Sequence, residues 1–170
     1  MADARIRRAS VADVPRLTQI YNAYVRDTPI TFDVEEWSVE RRRTDWFDHY
    51  AETGRHQLFV AESDGLVVGY ATSSGFRPKA AYDTTVEATI YLAREATRRG
   101  IGRALYAELF DRLRTEDVRR VLAGITLPND ASRALHERFG FTQVAHFTEC
   151  GRKFDRYWDV IWLEKRMEEA

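Results

Sequence analysis

The stretch Thr85-Val-Glu-Ala-Thr-Ile-Tyr-Leu-Ala-Arg-Glu-Ala-Thr-Arg-Arg-Gly-Ile-Gly-Arg-Ala-Leu-Tyr106 decides how this chain folds. Its first part alternates: Val86, Ala88 and Ile90 against Glu87, Thr89 and Tyr91, the period of a strand. Its last part begins a helix, because Ile101, Leu105, Leu109 and Leu113 keep helical spacing. Between them lies Thr97-Arg-Arg-Gly-Ile-Gly-Arg103. Glycines there remove Cβ atoms where backbone must approach a ligand. The first helical turn offers unpaired N–H groups and a positive dipole end, suited to a pyrophosphate, and Arg98, Arg99 and Arg103 add charge. A plain turn with solvated arginines explains the same residues. A dinucleotide fold is disfavoured, since no third glycine completes GxGxxG.

Upstream, Leu58-Phe-Val-Ala and Leu66 to Ala71 are strand-like runs joined by Ser63-Asp-Gly65, a hairpin signal. A basic, aromatic loop, Phe76 to Tyr82, leads from them into the deciding strand. Arg5 to Arg8 is a short first strand. Ser10 and Asp13 resemble a capping box, Pro15 is tolerated near a first turn, and Leu17, Ile20, Tyr21, Tyr24 and Val25 mark one helical face. Thr31 to Trp37 reads as a loop. Ser38 caps a second helix, with Trp46, Phe47 and Tyr50 as its apolar stripe and Gly54 setting its end. Downstream, Val121 to Ile125 is a buried-type strand, Asn129 to Arg138 a helix closed by Gly140, and Phe141–Phe147 and Tyr157–Leu163 are final strands. The order β-αα-βββ-α-β-α-ββ predicts an α/β (α+β) fold, a mixed, mostly antiparallel sheet flanked by helices. Parallel pairing belongs only around the central crossover helices.

With no repeat or linker, residues 1–170 read as one domain, long enough to bury a core. Hydrophobic residues at 44% and charged residues at 31% describe an ordinary globular mixture. A net charge of -1 gives no electrostatic argument for nucleic acid or a membrane surface. The single cysteine, Cys150, has no partner for a disulfide or a CxxC metal site, which fits a reducing compartment. No apolar leader or spanning segment is visible, so a cytoplasmic location is expected, with no metal.

Glu87 can be read two ways. A carboxylate between apolar strand residues has its pKa raised by desolvation, toward what a general base needs. Alternatively it faces water at a sheet edge or pairs with Arg77.

Taken in order, the glycine loop, Ile20-Tyr-Asn22, Thr31-Phe-Asp33, Phe76-Arg-Pro78 with Tyr82, Thr85 to Tyr91, Leu127-Pro-Asn-Asp-Ala-Ser132, Leu135-His-Glu137, Gly140-Phe141 and Trp158-Asp-Val160 carry a resemblance. The chain resembles the GCN5-related N-acetyltransferase (GNAT) superfamily, and more narrowly its phosphinothricin and methionine sulfoximine acetyltransferases. Thr97 departs from the Gln or Arg usual at the head of the loop. The resemblance implies acetyl-CoA as cosubstrate, its pyrophosphate held at Arg98, Arg99, Gly100, Ile101, Gly102 and Arg103. It also implies pantetheine along Ile90, Tyr91 and Leu92, and a CoA contact at Asn129, which can equally be a helix N-cap. Glu87 is implied as base, since only a neutral amine has the lone pair to attack a thioester. His136 is implied as acid to the departing thiolate or as a positioning group; a helix histidine satisfied by a backbone carbonyl is the alternative. For the acceptor, a small amino-acid-like amine, the resemblance implies Phe32, Arg77, Pro78, Lys79, Tyr82, Glu87, Ala88 and Thr89. Arg77 suits a carboxylate or phosphinate, while the aromatics also suit core or subunit packing. Direct transfer in a ternary complex and a homodimer are the further expectations. The rivals are another acceptor (a polyamine or a protein N-terminus) and a non-catalytic acyl-CoA-binding module.

Overall fold

The computed structural model describes residues 4–167. Seven strands form one sheet in the order β1-β2-β3-β4-β5-β7-β6. They are β1 (Arg5–Arg8), β2 (Gln57–Ser63), β3 (Leu66–Gly75), β4 (Thr85–Leu92), β5 (Arg120–Thr126), β6 (Thr142–Lys153) and β7 (Arg156–Arg166). Four helices accompany it: α1 (Val14–Asp27), α2 (Val39–Asp45), α3 (Ile101–Leu113) and α4 (Asp130–Arg138). The element order and the mixed sheet agree with the sequence reading, and β4–β5 is the parallel pair, bridged by the α3 crossover.

Local chemistry accounts for the element ends. The Asp13 carboxylate accepts from the Ser10 backbone N–H at 2.7 Å and is gripped by both terminal nitrogens of Arg7 at 2.8 Å. The resulting 3-10 turn, Val11–Asp13, feeds α1, with Pro15 in its first turn. Asp64 and Gly65, at φ 52° and 76°, close the β2–β3 hairpin, as an Asp-Gly pair does best. Ser38 caps α2 by accepting from the Arg41 N–H at 3.1 Å.

Two expectations are corrected. α2 stops at Asp45, well before Gly54, because Trp46 leaves helical space at φ −137° and packs its ring on Tyr70 of β3, centroids 5.5 Å apart. β6 runs on to Lys153 and β7 to Arg166; most of β6 is exposed, so no apolar alternation marks its true length.

Strand β4 separates the two faces of the sheet residue by residue. Alternation sends Tyr91 against Tyr21 and Tyr24 of α1, while Ile90 turns to α3 beside Gly102. Helices α1 and α3 therefore cover opposite faces, over a core that includes Leu17, Val86, Leu105, Leu109 and Val121. Among the described residues, no helix is long and apolar enough to cross a membrane.

Candidate active site

Glu87 stands on the α1–α2 side of β4, in a cleft of about 550 Å³. β4 lies between β3 and β5, so Glu87 is on an interior strand and not at an edge. Its carboxyl is half-buried, and burial pushes its pKa up from the ordinary carboxylate range. Among the described residues, no hydrogen bond or ion pair engages that carboxylate, so the pairing with Arg77 is not formed. An unpartnered carboxylate of raised pKa is equipped to take a proton.

A second opening begins at the same residue. The β4–β5 ladder spans Thr85↔Arg120, Val86↔Val121 and Glu87↔Leu122, and ends there. Past Glu87 the strands part, which leaves a wedge between Ala88–Tyr91 and Gly124–Thr126. Residues Ala88 to Leu92 keep β3 on one side but have no strand on the other. Backbone groups facing a gap need hydrogen-bond partners, and an extended ligand can supply them. Thr89 and Tyr91 line both openings, so the cleft and the wedge meet beside Glu87. Of the expected pantetheine residues, Ile90 and Tyr91 line the wedge and Leu92 does not; its carbonyl accepts from the Tyr24 hydroxyl at 2.6 Å.

The glycine loop lies at the start of α3. Gly100 is the N-cap at φ 79°, a left-handed conformation that favours glycine, with no atom within 4 Å of a Cβ built there. The first intrahelical bond reaches Ala104 N–H from the Gly100 carbonyl, so the amides of Ile101, Gly102 and Arg103 have no helical acceptor. Gly102 packs tightly instead: a Cβ would sit 3.3 Å from Leu135 and 3.4 Å from Ile90, which ties the loop to the wedge. Arg98, Arg99 and Arg103 are exposed, and none pairs with a carboxylate among the described residues. Thr97 turns its hydroxyl back to the Arg94 carbonyl at 3.0 Å. Asn129 both caps α4, accepting from Ser132 N–H at 3.2 Å, and lines the wedge.

Of the two roles expected for His136, acid or positioning group, its geometry favours positioning. It is 2% exposed, with Nδ1 2.8 Å from the Ser132 carbonyl and Nε2 2.9 Å from the Tyr106 hydroxyl. Only one neutral tautomer satisfies both: Nδ1–H donates to the carbonyl, and Nε2 accepts from Tyr106. Burial also holds its pKa below the usual imidazole value. The ring has no spare proton for a thiolate; it is the satisfied helix histidine, and it fixes Tyr106 at the wedge floor.

The acceptor set divides. Glu87 and Thr89 line the cleft, and Ala88 lines the wedge. Arg77, Pro78, Lys79 and Tyr82 do not join them within one chain. Phe76 packs edge-on against both Tyr82 and Trp162 of β7, at 5.8 and 5.7 Å, and Arg77 lies over Phe76 at 4.9 Å. That stacking holds the loop outside the cleft lining. Phe32 packs over Gly151 of β6, where a Cβ would overlap its ring. Cys150 is exposed on β6, outside both linings.

The sequence reading missed the rest of the cleft wall, which includes Tyr21, Trp37, Arg42, Trp46, Tyr50 and the histidines His49 and His56. Trp46 and Tyr50 read as a helix stripe, and Arg42 was given no role. The faint signal was an arginine among aromatics, since Arg stacks on ring faces.

A mixed sheet opened beside an unpaired carboxylate, with a glycine-capped helix at the end of the opening, is an arrangement compatible with acyl transfer. The chain matches the acetyltransferase (GNAT) domain over residues 6–162, and it belongs to that family. It is 51% identical to the phosphinothricin N-acetyltransferase of Streptomyces coelicolor, covering 96% of both chains. It is 32% identical to an L-methionine sulfoximine/L-methionine sulfone acetyltransferase of Pseudomonas paraeruginosa, over 97% of this chain and 95% of that one. Among solved structures, a GNAT superfamily phosphinothricin acetyltransferase from Sinorhizobium meliloti, in complex with acetyl-CoA, superposes with a TM-score of 0.89 at 31% identity, covering 98% of this chain and 90% of that one.

Proposed function

We propose that this protein transfers the acetyl group of acetyl-CoA to the α-amino group of a small amino-acid-like acceptor of the phosphinothricin or methionine sulfoximine/sulfone type. The observation that carries this is the meeting of two openings at Glu87. A thioester in the wedge and an amine in the cleft face each other across Thr89 and Tyr91. The relatives' activities and the acetyl-CoA complex of the Sinorhizobium meliloti protein support the choice of substrates.

The donor's pyrophosphate sits on the free amides of the first α3 turn, with Arg98, Arg99 and Arg103 around it. The pantetheine runs along β4, bonded to the backbone edge that β5 leaves open. Glu87 removes a proton from the acceptor's ammonium, directly or through a water, and the freed lone pair attacks the thioester carbonyl. The tetrahedral adduct then collapses: the C–S bond breaks, the new amide nitrogen gives its second proton to solvent, and the departing thiolate takes a proton from solvent. Cys150 is outside both openings, which supports direct transfer in a ternary complex over a covalent intermediate.

A homodimer belongs to this reading. β6 is a sheet edge, and Val144, Phe147, Phe154 and Tyr157 on its hairpin are all at least half exposed. Light scattering of the eluting protein tests that. The location is proposed as cytoplasmic.

The decisive experiment is thiol release from acetyl-CoA with a panel of amines. Phosphinothricin, methionine sulfoximine and methionine sulfone are expected to drive it, with initial rates dependent on both substrates in intersecting patterns. Turnover of polyamines or peptides alone refutes the acceptor class. No thiol release with any amine leaves only a binding module.

A further inference from the structure

The hairpin that ends the sheet reaches back to the cleft through one buried lysine. Lys153, the last residue of β6, is 5% exposed. Its backbone carbonyl accepts from the Trp158 indole N–H at 2.8 Å, which fixes its place on the hairpin. Its ammonium donates to the Thr31 carbonyl at 2.8 Å, across 122 residues of chain. Among the described residues that is the ammonium's one hydrogen bond, and no carboxylate lies within ion-pair distance of it. The Asp33 charge is near enough to favour the charged form against the burial that opposes it. Enclosing an ammonium is costly, and an alkyl chain would fill the same space without that cost. What the ammonium adds is direction: it fixes one carbonyl.

That carbonyl belongs to the residue from which the cleft wall is hung. One oxygen of the Asp33 carboxylate accepts from both the Tyr21 hydroxyl and the Trp37 indole N–H, each at 2.7 Å. The Tyr21 hydroxyl gives its one proton to Asp33, so the Thr31 hydroxyl, 2.8 Å away, donates to it. Between Thr31 and Asp33, Phe32 lays its ring on Gly151 of the same hairpin. Tyr21 and Trp37 line the cleft with Glu87, and Tyr21 meets Tyr91 edge-on, centroids 5.2 Å apart, where cleft and wedge join. We infer that Lys153 is a positioning residue for the acceptor: it holds the chain at Thr31, and through Thr31 and Asp33 it sets the Tyr21 and Trp37 rings that bound the acceptor's space. The inference rests on the reading that the amine occupies this cleft, and deepens it. None of these hydrogen bonds reaches β4 or the first turn of α3. The tie therefore acts on the acceptor side and leaves Glu87 and the donor's seat alone.

The test is a split between constants. Lys153→Met keeps an unbranched apolar chain and loses the ammonium. Its KM for methionine sulfone should rise about tenfold, with kcat and the KM for acetyl-CoA within about twofold of wild type. Asp33→Asn should raise the same constant. The two changes together should do no more than the larger alone, because they act in series. A second readout needs no turnover. Protein labelled with 5-fluorotryptophan carries four indole signals. That of Trp37, assigned by its loss in Trp37→Phe, should shift in Lys153→Met while that of Trp162 stays. This separates the inference from the acetyl-transfer reading, because the Trp37 signal decides it even if no amine is turned over. If Lys153→Met does not fold, Lys153→Gln keeps a donor without the charge, and should move the signal and the acceptor KM in the same direction by less. The inference is overturned if the folded variant keeps the wild-type acceptor KM whatever its melting temperature, the mark of a merely structural tie. It is also overturned if donor and acceptor KM rise alike, if the Trp37 signal stays in place, or if the effects of Lys153→Met and Asp33→Asn multiply.

Discussion

Replacing Glu87 with glutamine separates chemistry from architecture. The side chain keeps its shape and loses only its ability to carry a charge and accept a proton. Since no group among the described residues bonds the carboxylate, the change breaks no hydrogen bond among them. Loss of a general base lowers kcat by about 10²–10⁴-fold, or roughly 2.7–5.5 kcal/mol of barrier at 1.36 kcal/mol per decade. In the proposed reading the donor is held elsewhere, on the open edge of β4 and the first turn of α3, so calorimetric acetyl-CoA affinity should stay within about twofold of wild type. Stability should move the other way from activity. Burial raises the folded-state pKa of Glu87 above its unfolded value. Between those two values the native protein binds more protons than the unfolded chain, so stability falls as pH rises through that window and stays lower above it. The Glu87→Gln protein should therefore melt at or above the wild-type temperature at pH 8, with the gap closing as pH falls below the ordinary carboxylate range. The acid limb of the wild-type kcat/KM profile should lie above a usual carboxylate pKa of about 4.3 and vanish in the variant. A variant with wild-type kcat and pH profile, or one that melts lower at pH 8, would refute both the assignment and the account of its environment.

Tyr106→Phe leaves the Nε2 of buried His136 without its donor, an unsatisfied group worth about 1–3 kcal/mol. Calorimetry should show melting lowered by several degrees, at about 2–4 °C per kcal/mol in a chain of this size. An unchanged midpoint means the pair does not form. Gly100→Val forces a β-branched residue to φ 79°, a strain of about 1–2 kcal/mol. It should weaken CoA binding about tenfold or more in folded protein, by moving the amides that hold phosphate. Lower stability with full affinity would place the phosphates elsewhere. Arg77→Lys removes an exposed stack on Phe76 worth about 0.5–1 kcal/mol. Acceptor KM should stay within about twofold. A tenfold rise would return the loop to the acceptor site.

Patterns with short periods were legible in the sequence. The β4 alternation, the Asp64-Gly65 turn and the α3 repeat each depend on neighbours within a few residues, and all three stand in the structure. The full length of β6 was not legible because its pairing with β7 buries little on either face, so hydrogen bonding and not burial defines it. The position of Glu87 was legible because its apolar strand neighbours announce desolvation. Arg42 was not: helices α1 and α2 and strand β3 must first converge before an arginine of the Arg41-Arg42-Arg43 run sits among their rings. For His136 the backbone-satisfied reading was open from the sequence, but its second partner was not legible, since Tyr106 lies 30 residues away on another helix.

The short ladder between β4 and β5 has a mechanical side. Three residue pairs stitch strands β1–β4 to strands β5–β7, and beyond that stitch the halves are joined beneath the sheet by the rings of Tyr106, Phe110, Phe139 and Phe141. The two strand blocks share one core across this seam, and amides along the open edge of Ala88 to Leu92 should be among the first in the sheet to exchange with deuterium. In the proposed function a donor lying in the seam would take the place of the missing strand. Saturation at about one hundred times the dissociation constant adds about 2.7 kcal/mol to the folded state. The gain should be concentrated at the seam, where protection on both blocks rises together and the two halves begin to open as one.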